Sequence, residues 1–183
     1  VIGFLHAINP AKPINTEEDA RGAARAGAWG AFLMATPGAI GALCLLFTID
    51  SYLARTRAAM IATYGADDPV REKMLLMLTP QFVYLTAGAS LVFALIIGIL
   101  GVVQWKKPSL TVPLILGLFT AYGLVMLSLN LANHEVMTAA TKAMAAPMWR
   151  NVLAGVVDVM CLVLFWAGFR GGKWLDDLRR RAG

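Results

Sequence analysis

The chain has 183 residues, of which 58% are apolar and 15% charged, with a net charge of +5 and two cysteines. That length holds one bundle and its connections and leaves no room for a separate soluble catalytic domain. Cys44 and Cys161 both lie in apolar blocks without a CxxC pattern, which supports neither a disulfide framework nor a structural zinc site and makes both expected core residues. The basic excess sits beside apolar segments, with no groove-reading element, so nucleic acid is not an expected partner.

Residues 1–27 read as a lead-in. Residues 1–5 are too short for the apolar core of a secretory signal and no cleavage site follows, so the first span is expected to act as its own insertion signal. A start at Val1 leaves room for residues upstream. Phe4, Leu5 and Ile8 are expected on the membrane surface or against a partner. Asn9-Pro10 and Lys12-Pro13 read as extended chain. Thr16-Glu17-Glu18-Asp19 is a helix start, with Thr16 as cap and carboxylates facing the positive end of the helix dipole. No turn signal separates it from Ala28, so one helix is expected from Glu17 through the membrane, kinked near Pro37.

Four long apolar blocks occupy residues 28–49, 82–103, 110–132 and 152–169, the last interrupted only by Asp158. About 20 apolar residues at ~1.5 Å each cover a hydrocarbon core of ~30 Å. Spanning strands would need only ~10 residues with alternating polarity, a pattern absent here. The expected fold class is therefore all-α: an integral membrane four-helix transmembrane bundle, one membrane domain over residues 1–183.

The connection between the first two spans is helical in pattern. Leu53, Ala54, Met60, Ile61 and Tyr64 continue span one, Gly65 stops it, Asp67-Asp68-Pro69 starts a second helix, and Met74 to Leu78 lead into span two before Pro80. This predicts an extracytoplasmic helical hairpin standing on spans one and two, whose apolar residues need cover from the bundle or another subunit.

Four spans put both termini and the 104–109 connection on one side. That side carries ten basic residues: Lys12, Arg21, Arg25, Lys106, Lys107, Arg170, Lys173, Arg179, Arg180 and Arg181. The other carries six, at Arg55, Arg57, Arg71, Lys73, Lys142 and Arg150. The excess of basic residues on retained loops predicts cytoplasmic N- and C-termini. Ten Arg against six Lys, with abundant Ala, suggests a bacterial inner membrane. Trp29, Trp105 and Trp166 near one membrane border, and Tyr52, Tyr84 and Trp149 near the other, fit amphipathic rings in the headgroup layers.

Asp158 is the sharpest single residue, because a carboxylate inside a span costs ~2.5–3.5 kcal/mol on insertion scales and must face away from lipid. Asn151, Ala154, Gly155, Asp158, Cys161 and Leu162 share a face by helical spacing. Ser90, Ser128 and Asn130 at similar depth, and Tyr122 deeper, are its candidate hydrogen-bond partners. The functional reading is a proton or cation site. A buried carboxylate that fixes helix register is the favoured alternative, since no second intramembrane charge completes a relay.

Ala23, Gly27, Ala31, Ala35 and Ala39 recur at four-residue spacing, a helix-packing face suited either to the bundle interior or to an oligomer. His6 and His134 fall on opposite sides of the membrane, which argues against a haem held between them, and His134 with Glu135 reads as a solvated helix end, with a metal-binding or pH-responsive pair as the less common alternative. No nucleophile–base motif or phosphate loop appears, so an enzyme is not expected, no cofactor is evident, and no metal site is predicted. The tail from Arg170 combines Trp174, Leu175 and Leu178 with Arg179, Arg180 and Arg181, predicting a short interfacial helix whose basic cluster meets anionic lipid. These features together predict a structural or accessory subunit of a larger membrane assembly, with other membrane subunits or further copies of itself as partners. The alternative is a small oligomeric channel or a proton- or cation-coupled transporter using Asp158.

Overall fold

A computed structural model describes residues 9, 12–64, 72, 73, 75, 76, 78–132 and 148–182. The expectations for Phe4, Leu5, His6, Ile8, Gly65, Asp67, Asp68, Pro69, His134 and Glu135 lie outside these residues, as does most of the return arm of the hairpin. Among the described residues there are five helices and no strand: α1 Glu17–Phe47, α2 Ile49–Tyr64, α3 Pro80–Lys106, α4 Thr111–Ala132 and α5 Met148–Ala182. The protein is a four-helix membrane bundle: α1, α3, α4 and α5 are each long and apolar enough to cross a bilayer.

Local chemistry sets the helix limits. The Thr16 hydroxyl accepts the Asp19 N–H at 3.1 Å, and Glu17, Glu18 and Asp19 occupy the first turn of α1. The helix then runs 31 residues with Pro37 inside it. It breaks at Thr48, whose N–H is shared between the Cys44 and Leu45 carbonyls at 3.1 and 3.3 Å while its hydroxyl donates to Cys44 at 2.7 Å. With the regular ladder interrupted there, α2 continues span one as a separate segment. Thr79 caps α3 by accepting the Phe82 N–H at 3.2 Å, with Pro80 where a missing N–H costs nothing. Pro113 occupies the same permissive first turn of α4, so it does not break that span.

The tail departs from expectation. Residues 170–182 do not form a separate interfacial helix; α5 runs 35 residues without interruption, about 52 Å, well beyond a ~30 Å hydrocarbon core. At about 47 Å, α1 is also longer than the core, and the two helices pack together at this end. Leu175 is buried against Ala20 and Ala24, with Ile14 and Trp174 beside them. The apolar side of the tail thus covers α1.

In the bundle, α1 packs along both α3 and α5, and α4 packs along α5. α3 and α4, although joined by the short turn 107–110, barely touch. The result is an open arc in the order α3, α1, α5, α4. Its shared core is Ala31, Ile97, Leu116, Cys161 and Phe165, one or more residues from each spanning helix. A second cluster, Ile49, Leu53 and Val83, ties α2 to α3. The outward faces carry the large apolar side chains, such as Phe47, Leu85, Leu118 and Val125, while Ala and Gly dominate the α1 interior. That inversion suits helices solvated by lipid.

Candidate functional site

The tightest part of the molecule is where α1 begins, α3 ends, α4 begins and α5 ends, here called the basic end. Gly27, Pro113 and Gly168 interlock there: a Cβ on Gly168 would lie 2.7 Å from the Gly27 Cα, and one on Gly27 would lie 2.9 Å from Pro113. One turn further, a Cβ on Gly171 would collide with the backbone of Ala20 and Ala24. A Cβ on Gly101 would likewise lie 2.8 Å from the Phe32 ring. Of the small-residue face of α1, Ala23, Gly27 and Ala31 are buried within the chain, whereas Ala35 and Ala39 are half-buried.

Gln104 locks this end and was not singled out by sequence reasoning. Completely buried, it donates to the Ala24 carbonyl at 3.2 Å and the Ser109 carbonyl at 3.0 Å. Its carbonyl accepts both the N–H and the hydroxyl of Ser109 at 3.2 Å. One amide thus fastens the α3–α4 turn to α1. The available signal was an uncharged amide just before Trp105-Lys106-Lys107-Pro108, where a polar side chain can satisfy a tight turn.

The intramembrane polar residues are not gathered into one site. Ser90 and Ser128 are exposed, and their hydroxyls donate to the carbonyls four residues back, Thr86 at 3.0 Å and Leu124 at 2.8 Å. Tyr122 is 64% exposed, and Asn130 is also exposed. None of the four bonds to Asp158. The carboxylate is half-buried and makes no hydrogen bond or salt bridge among the described residues. The antiparallel register that sets Gly168 on Gly27 and Phe165 on Gly30 puts Asp158 at the height of Pro37. Because Pro37 has no N–H, the Leu33 carbonyl lacks its usual helical donor. A carboxyl group and a freed carbonyl therefore occur at one height, two of the groups a proton or small cation would use. Among the described residues no group of three or more His, Cys, Asp and Glu is placed to hold a metal ion.

The two cysteines differ. Cys161 is buried, its thiol 3.6 Å from the Gly30 carbonyl, while Cys44 is exposed near the C-terminal end of α1, contrary to its expected place in the core. Arg179, Arg180 and Arg181 are exposed on the last turns of α5, where cations complement the helix dipole, and Arg179 pairs with Asp176 at 3.0 Å. The chain matches no protein-family model, no curated protein and no solved structure.

Proposed function

We propose that this protein is a structural subunit of a larger membrane assembly, docking through the outward faces of its spans. The observation that carries this reading is the placement of glycines. Gly38 and Gly41 on α1, Gly88 and Gly98 on α3, and Gly123 on α4 have nothing within 4 Å of an added Cβ. Glycine inside a helix costs roughly 0.5–1 kcal/mol relative to alanine. At Gly27, Gly101, Gly168 and Gly171 a close intrachain approach accounts for it; at the five open positions no contact among the described residues does. Small residues on the faces of spanning helices allow neighbouring backbones to approach, the main route to helix association in lipid. The basic end is proposed to lie in the cytoplasm of a bacterial cell, following the excess of Lys and Arg there.

Leucine at Gly38 and Gly41 tests the reading. The double variant is expected to remain a folded bundle and to lose its partners or neighbouring copies when extracted in mild detergent. Retention of the same complex would contradict docking through that face.

A second reading rests on Asp158, unpaired among the described residues: a small proton- or cation-coupled pathway completed between copies of the chain. Reconstituted liposomes that show no flux under proton, sodium and potassium gradients would remove it.

A further inference from the structure

The ends of the helices flank a partly open cavity that the packing does not fill. It measures about 600 Å³ and lies between the start of α1, the α3–α4 turn and the end of α5. Arg21, Arg25, Lys106, Lys107 and Arg179 line it, against a single lining carboxylate, Glu17. Glu17 is engaged by Arg21, and Arg179 by Asp176, so these two cations are partly neutralised. Arg25 lies 5.3 Å from the ring centroid of Trp105, and Trp105 meets Trp29 edge-on at 6.0 Å. This stacking orients the guanidinium without neutralising it. Lys106 and Lys107 take part in no salt bridge among the described residues. Two helices begin and two end here, so their dipoles largely cancel and the side chains set the charge of the cavity. Leu175 and Leu178 add an apolar wall.

We propose that this cavity is a binding site for a phosphate ester, and that the headgroup of an anionic phospholipid is its occupant. Arg forks and Lys ammonium groups recognise phosphate oxygens through charge-assisted hydrogen bonds, and basic pockets between spanning helices suit phospholipid headgroups. The combination of cationic side chains, an apolar wall and tryptophans typical of a membrane border matches a ligand with a charged head and a greasy body. A free phosphate compound has the same head but no use for Leu175, Leu178 and the border position.

The test uses the full chain in nanodiscs of phosphatidylcholine with or without phosphatidylglycerol or cardiolipin, followed by native mass spectrometry to count retained lipid. Three forms are compared: wild type, Lys106→Gln/Lys107→Gln, and Arg55→Gln/Arg57→Gln, which removes equal charge from exposed residues of α2 outside the cavity. All six side-chain positions at issue in the two variants and Arg25/Trp105 are exposed, and helicity and elution volume verify folding of each form. Wild type is expected to retain anionic lipid, the lysine variant to lose affinity roughly 10-fold or more, and the arginine variant to change less than about 3-fold. A parallel titration with inorganic phosphate and pyrophosphate in zwitterionic nanodiscs separates the sources. Stabilisation there that depends on Lys106 and Lys107, without lipid retention, would keep the phosphate site and replace its occupant. Equal losses in both variants, or no retention and no phosphate effect, would overturn the proposal.

Discussion

Gln104 and Asp158 are both polar groups on membrane spans, yet the structure treats them oppositely. The glutamine is fully buried and bonded through both ends of its amide, whereas the aspartate is half-buried and bonded to no described residue. Removing the first should therefore cost far more. We predict that Gln104→Leu lowers stability by about 2–4 kcal/mol in detergent unfolding, because the Ser109 N–H and carbonyl lose their partners in a closed turn. A loss below about 0.5 kcal/mol would mean that water or another group substitutes freely for the amide. Asp158→Asn removes a charge and no bond, so its unfolding midpoint should stay level or rise. Unfolding of that variant would instead reveal a structural bond to the carboxylate and favour the register-fixing role.

At the scale of elements, apolar block length revealed the four spans because the hydrocarbon thickness demands it. The expected cores at 28–49, 82–103, 110–132 and 152–169 lie within or nearly within helices that run past the apolar stretch, as the Thr16 cap suggested for the first of them. The continuity of α5 was less legible. Gly171-Gly172 after Arg170 has the composition of a helix stop, and only the packed structure reveals that both glycines are there for close approach, to Ala20 and Ala24 and to Ser109. Leu175 distinguishes the two arrangements: Leu175→Ala should cost about 2 kcal/mol if the tail covers α1, and almost nothing if it lies on lipid as a separate helix. The glycines give a second contrast. Gly171→Leu should abolish the folded bundle, read as lost helicity and aggregation, while Gly41→Leu should leave the fold intact because its added side chain meets only open space. Matching behaviour of the two would show that the close α1–α5 approach is not required.

For the whole molecule, the decisive feature is an arc rather than a closed bundle, with α3 and α4 joined by a turn but scarcely in contact. Charge counting could group the ends of the helices on one side because alternation of spans is dictated by the chain itself. It could not show which faces close on each other: Ser90, Ser128, Asn130 and Tyr122 share an approximate depth with Asp158 or lie near it, but depth carries no information about rotation around each helix. Side-chain direction was settled by packing, which turned those four outward. The outward glycines and the open arc together motivate the proposed place in an assembly. Native mass spectrometry of the protein captured from gently solubilised membranes tests that claim most directly. The account predicts a stoichiometric complex with other membrane subunits or further copies of this chain, dissociated by leucine at Gly38 and Gly41; a stable lone monomer would contradict it.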